Sequence, residues 1–483
     1  MRPIALALAA AAALAGASPA AAAPRLTPVR CPVAAPAGAR IECSRLAVPE
    51  SRSRPRGKQL SLLVIRFRSR AAQPAPDPVL WLAGGPGGSA VVLTTRPDLF
   101  ANDVEPLLAR RDVIVLEQRG SLYSRPALTC GPREDDRDCL RRLARAGNDL
   151  RAYTSAASAH DIEDLRRALH VGRWNVLGES YGTRVAQTLI REHPAHLRSV
   201  VLDSVISIAD DTVAASSAEA AGAFERLFAA CAADPRCRTA YPDLEAALRA
   251  GYERLEREPL RLAGRAHGTA YDFRVDGAQL LRWVYDGLYE SAAIPLLPRA
   301  IAAARQRRLD PVWRPLAENF EVGIPLLLAR GLHRAVYCNE EVPFTTPSRI
   351  AAVDGANPGV SWLFSGRWWL EVCSVLPARP SPVENRSVSG SVPTLLLTGQ
   401  LDPVTPPSEG RRAARMLSRS FFYEFPGLGH WVNPAHPCPR RIMLAFLDRP
   451  TVRPDASCIR SMRPPEWALP WLRAAAVDQL DPR

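Results

Sequence analysis

Gly178-Glu179-Ser180-Tyr181-Gly182 is the feature that most limits how this chain can fold. The four residues before it, Trp174-Asn175-Val176-Leu177, read as a buried strand, and Thr183 to Glu192 reads as a helix closed by Pro194. A strand that turns straight into a helix needs small residues two before and two after the central serine, and both positions are glycine. Such an elbow lifts the Ser180 hydroxyl above the end of a sheet and aims a helix N-terminus at it. Ser180 is therefore the expected nucleophile.

The surrounding pattern agrees with a sheet of that kind. Ser61 to Phe67, Pro78 to Leu82, Asp112 to Leu116 and Ser199 to Leu202 are short apolar runs, and Ala159 to Leu169 has helical spacing. Nearly all-apolar strands alternating with helices predict a parallel sheet covered on both faces. From about Val205 to Ser389 the chain reads as largely helical. Strand–helix alternation resumes with Thr394 to Leu397, a helix near Pro407 to Leu417, the strand Phe421 to Phe425 and a helix from Arg440 to Leu447. The expected organisation is a core over 24–204 and 390–448, a helical cap inserted over 205–389, and a tail over 449–483. Residues 24–60, rich in Pro and Arg, are expected to form an irregular arm with short edge strands.

A serine hydroxyl is a weak nucleophile and needs a base and an orienting acid. In this architecture they follow the serine, acid first. Asp402 lies in the loop after the Thr394 strand, and His430 lies in Gly427-Leu428-Gly429-His430 after the next strand. They are the expected acid and base; His436 is a nearby competitor for the base, and an Asp before Pro is otherwise a common turn or helix cap. The oxyanion donors are expected to be the backbone N–H of Tyr181 and that of Gly85, in the loop Gly84 to Gly88. No Lys-Ser/Thr pair follows that loop, which excludes a phosphate loop.

Residues 1–23 have a charged start, an apolar run from Ile4 to Ala17 and small residues at Ala21 to Ala23, the signature of a secretory signal peptide. No later stretch is long and uncharged enough to span a membrane. The expected destination is the periplasm or the medium. Ten cysteines in an exported chain read as disulfides, and neighbours in sequence are the expected partners: Cys31–Cys43, Cys130–Cys139, Cys231–Cys237, Cys338–Cys373 and Cys438–Cys458. A net charge of +13 comes almost wholly from scattered arginines, Lys58 being the one lysine, so no nucleic-acid surface is expected. No cofactor or metal is implied.

Gly84-Gly85-Pro86-Gly87-Gly88, Glu117-Gln118-Arg119-Gly120, the Ser180 elbow, Gly399 to Pro406 and Gly427 to His430 together resemble the proline iminopeptidase and tripeptidyl aminopeptidase family. More specifically they look like its exported bacterial tripeptidyl aminopeptidase branch. The resemblance implies an α/β-hydrolase sheet with an inserted, mainly helical cap. It also implies a serine peptidase that releases residues or short peptides from free N-termini of peptide substrates through an acyl-enzyme. Such an enzyme needs carboxylates for the protonated α-amino group. Glu340 and Glu341, after the cap cysteine Cys338, resemble the family's acidic segment, and Glu179 beside the nucleophile is a further candidate. The sequence departs from the family at Ala83, where a histidine is usual, and at Ser121-Leu122-Tyr123. A carboxylester hydrolase with the same triad, and a non-catalytic binding protein of the same fold, are the alternatives.

Overall fold

The computed structural model describes residues 24–378, 380–463 and 465–470. The expected signal peptide, and the part of the tail beyond residue 470, lie outside the described residues.

Nine strands form one sheet: β1 (Leu26–Val29), β2 (Ile41–Pro49), β3 (Gln59–Phe67), β4 (Val79–Leu82), β5 (Val113–Leu116), β6 (Trp174–Glu179) and β7 (Leu197–Asp203), then, beyond a two-stranded hairpin of β8 (Leu260–Ala266) and β9 (Thr269–Val275), β10 (Thr394–Gly399) and β11 (Ser420–Phe425). Their spatial order is β1-β2-β3-β5-β4-β6-β7-β10-β11. The first three are antiparallel, and from β5 to β11 all neighbours are parallel. The chain leaves the sheet after β7 and returns at β10, so everything between is inserted at one edge crossing.

Side chains alternate across each strand, and both faces are covered. Leu80, Val176, Leu202 and Leu396 pack to one side with helices α1 (Ser155–Ala168) and α2 (Tyr181–Glu192). Trp81, Leu177, Val201 and Leu397 pack to the other, against Ile442 and Phe446. Being buried on both faces, β4, β5, β6 and β10 carry no polar-facing positions, which is why they read as short continuous apolar runs.

The insertion has its own core. Helices α3 (Thr212–Ala233) and α4 (Gly277–Tyr289) supply it with Leu227 and Trp283, and the Trp283 and Trp313 rings stack at 6.0 Å, whereas α5 (Arg330–Glu340) packs through Leu332 and Val336 on the sheet's cluster. Each fully buried side chain of this size contributes about 2–3 kcal/mol before entropy. Leu401 from the core and Trp467 and Leu469 from the tail complete the same cluster.

Two features differ from expectation. The arm over 24–60 contains a nine-residue strand, β2, because Cys43 is buried on one face of it and Leu46 and Val48 on the other. The cap also contains the β8–β9 hairpin, turned by His267-Gly268, both at positive φ, as a two-residue hairpin loop requires.

Five disulfides join Cys31–Cys43, Cys130–Cys139, Cys231–Cys237, Cys338–Cys373 and Cys438–Cys458. This density belongs to an oxidising compartment. Among the described residues no helix is long and apolar enough to cross a membrane.

Candidate active site

Strand β6 runs into Ser180, which adopts φ 53° and ψ −121° before α2 begins at Tyr181. Left-handed backbone at a serine costs free energy, and the surrounding packing holds it there. A Cβ on Gly178 would lie 2.5 Å from the Gly182 carbonyl oxygen, and one on Gly182 would lie 2.3 Å from that of Leu82. Only glycine fits at either place. The Ser180 N–H donates to the Asp203 carbonyl at 2.9 Å, fixing the turn to β7.

The Gly84–Gly88 loop lies against this elbow: a Cβ on Gly84 would be 2.9 Å from the Ser180 Cβ. Gly84 N–H donates to Glu179 Oε2 at 3.0 Å. The N–H groups of Gly85 and Tyr181 have no protein acceptor among the described residues, which leaves two donors for an oxyanion. The Glu117-Gln118-Arg119 segment braces the loop from behind. Glu117 accepts from Ser89 and Ser121, Gln118 donates to the Ala83 carbonyl at 2.9 Å, and Arg119 is buried in a two-point contact with Asp161. The departures from the family at Ala83 and Ser121 thus fall on this bracing.

Asp402 follows β10 and His430 follows β11. His430 Nδ1 lies 2.8 Å from Asp402 Oδ2, and both side chains are fully buried. The other carboxylate oxygen accepts the backbone N–H groups of Val404 and Thr405, each at 2.9 Å. Thr405 Oγ1 donates to Oδ2 at 2.7 Å. Burial alone would raise the Asp402 carboxyl, but the His430 charge and these hydrogen bonds outweigh it and hold the group below its ordinary value. The same pairing, against burial, raises the His430 imidazole above its ordinary value. His430 Nε2 is buried without a hydrogen-bond partner among the described residues, so it is the nitrogen left for proton exchange.

The histidine loop is held from two sides. Asp203 accepts the N–H groups of Val432 and Asn433, and burial pushes its carboxyl up to about 7. From the cap, the Tyr289 carbonyl accepts His430 N–H at 3.1 Å, and the Tyr289 ring lies 4.3 Å from the imidazole. His436 is occupied elsewhere: its Nδ1 accepts the Cys438 N–H at 3.0 Å and caps a helix.

The expected amine-binding carboxylates separate into distinct environments. Glu340 is saturated, accepting from the Ser155 N–H and hydroxyl and from Arg184. Glu179 is engaged with Gly84 as above, and burial raises its carboxyl to about 7. Glu341 pairs with Arg184 at 2.7 Å and also faces a cavity of about 160 Å³ that reaches Pro86, Tyr181 and Thr405. Two carboxylates that sequence reasoning missed share that cavity: Glu219 of α3, and Glu409 of α6 (Pro407–Met416). Glu409 Oε2 accepts the Ser207 N–H, and the Glu409 and Glu219 carboxyls lie in hydrogen-bond contact with each other. Burial raises Glu219 and Glu341 to about 7 and Glu409 well above its ordinary value. Tyr285, Tyr337 and Trp369 form an aromatic wall. A larger hollow of about 270 Å³, beside Cys231 and Tyr241, includes none of these groups.

Fold and site together define the chain as an α/β hydrolase. The model of the α/β hydrolase fold matches residues 77–245, and that of the TAP-like proteins matches residues 362–458. The chain is similar to the tripeptidyl aminopeptidase of Streptomyces coelicolor, 28% identical over 201 residues, 36% of each chain. It is similar to the serine protease Hip1 of Mycobacterium tuberculosis, 27% identical over 224 residues, 40% of this chain and 42% of that one. It also resembles the proline iminopeptidase of Neisseria meningitidis, 27% identical over 142 residues, 29% of this chain and 36% of that one. The matches thus span less than half the length of these curated relatives.

Proposed function

We propose that this chain is an exported serine aminopeptidase, with Ser180, His430 and Asp402 as its catalytic triad. Ser180 Oγ attacks the scissile carbonyl carbon while His430 Nε2 takes the hydroxyl proton. The amides of Gly85 and Tyr181 receive the negative charge on the carbonyl oxygen. His430 then returns its proton to the leaving amine, and the acyl group stays on Ser180. Water, deprotonated by the same nitrogen, releases the acyl fragment and restores the hydroxyl. Asp402 keeps the imidazole in the tautomer that leaves Nε2 free.

The observation that carries the aminopeptidase reading is the acidic cavity. Glu219, Glu341 and Glu409 converge beside the elbow. Burial pushes their carboxyls up toward neutrality, and the free α-ammonium group of a peptide is a cation that would draw them back to the charged form. Apolar side chains of the substrate meet the aromatic wall. The similarity to tripeptidyl aminopeptidase and proline iminopeptidase supports the same substrate class. The disulfides support export.

Turnover of aminoacyl and tripeptidyl arylamides with a free N-terminus, against the same compounds N-acetylated and against p-nitrophenyl esters, tests this reading. Free N-termini should be preferred by at least tenfold. Preference for the acetylated compounds would overturn it, preference for esters would make the protein a carboxylester hydrolase, and absence of turnover together with absence of fluorophosphonate labelling would leave a binding protein.

A further inference from the structure

Three of the chain's eight histidines gather at the end of α2 opposite Ser180. His193 closes α2, and His196 ends the short turn Pro194–His196. Facing them, His160 and Glu163 lie three apart on α1 and so share one face of that helix. Two sequence pairs, His160-x-x-Glu163 and His193-x-x-His196, are therefore brought together by the packing of α1 on α2.

We propose that this cluster is a binding site for a divalent transition metal ion of the zinc class. The spacing is the first argument. His193 Nε2 lies 3.3 Å from His160 Nδ1, and His196 Nδ1 lies 3.0 Å from Glu163 Oε2. The donor atoms of Glu163, His193 and His196 all lie within 4.8 Å of one another. In a tetrahedral zinc site with bonds of about 2.0–2.1 Å, neighbouring donor atoms stand about 3.3 Å apart. The His196–Glu163 pair already has about that edge length, and Glu163, His193 and His196 supply three donors to one centre, leaving the fourth position to His160 or water.

The donor chemistry is the second argument. Neutral imidazoles with one carboxylate suit zinc, copper and nickel, whereas calcium and magnesium require oxygen shells. All three residues are half-buried, so an ion can reach them without unfolding. Arg166 grips Glu163 at both oxygens, at 2.7 and 2.8 Å. It can keep Oε1 while Oε2 turns to the metal, which is the way outer groups orient ligating carboxylates. The α2 helix is about 18 Å long at 1.5 Å per residue. The ion would therefore clamp the far end of the nucleophile helix to α1 and take no part in hydrolysis.

The test uses the full chain, stripped with EDTA, dialysed and titrated with zinc chloride. One equivalent should bind with a dissociation constant in the micromolar range and raise the unfolding temperature. Cobalt(II) in its place should give the intense visible absorption of a four-coordinate nitrogen and oxygen site. His193→Ala and, separately, His196→Gln should weaken binding at least tenfold and abolish the cobalt spectrum, with circular dichroism confirming that each is folded. His267→Ala, remote in the cap hairpin, should bind as the parent does. Equal zinc affinity in parent and His193→Ala, or an equal thermal shift with calcium, would overturn the proposal.

Discussion

Glu179 Oε2 accepts the Gly84 N–H at 3.0 Å, so the residue preceding Ser180 also fixes the loop that faces it. Ser180 and the Gly84–Gly88 loop are thereby positioned from adjacent residues at one strand end. Glu179→Gln keeps an acceptor for Gly84 and should retain most activity. Glu179→Ala releases the loop and should lower kcat by about 100-fold, the order that misplaced catalytic geometry costs, as read by steady-state arylamide hydrolysis.

The same carboxyl, raised to about 7 by burial, makes stability depend on pH. Between about pH 4.3, where an ordinary glutamate ionises, and 7, the folded chain keeps a proton that the unfolded chain has lost. This contribution is present at low pH and disappears as pH rises through that window. Thermal unfolding from pH 5 to 8 should show a decline that is shallower in Glu179→Gln.

Asp402→Asn preserves shape but removes the charge that orients His430. The expected loss in kcat is about four orders of magnitude, with the unfolding temperature little changed. Thr405→Val removes one of the donors to Asp402 and should cost about tenfold.

Hydrolysis of free-N-terminus arylamides should follow a bell-shaped pH profile in kcat/KM. On the acid side, His430, raised above its ordinary value, must lose its proton, and Glu341 and Glu219 must ionise near 7 to hold an ammonium group. On the alkaline side the α-ammonium group itself deprotonates near 8. Glu409→Gln should raise KM for free N-termini by about tenfold, the order of one charge-assisted hydrogen bond. For an uncharged ester substrate it should leave KM unchanged.

Gly182→Ala should destabilise the fold by about 2 kcal/mol or more, because its Cβ meets the Leu82 carbonyl. Gly172→Ala, with nothing within 4 Å, is the matched control and should be neutral in a denaturant titration.

The elbow and the two loops after β10 and β11 were legible in the sequence because each lies at the end of a run buried on both faces, where composition leaves little ambiguity. The β8–β9 hairpin is hidden in the sequence, although Leu262, Tyr271 and Val275 alternate around a His-Gly turn. Its exposed arginines dilute the pattern within a helical region. Thr405 carried a local signal, an Asp followed three residues later by Thr, which marks a side-chain-closed turn. The acidic cavity carried none. Glu219, Glu341 and Glu409 come from three separate segments, and nothing local tells a cavity-facing carboxylate from one that, like Glu340, faces away from the cavity.

Trp467 and Leu469 lie inside the cap's own core, although, Leu401 apart, the rest of that core is encoded between β7 and β10. During synthesis the cap helices emerge long before the segment that completes their packing. Closure of the cap core therefore waits on a segment encoded beyond the last strand of the sheet.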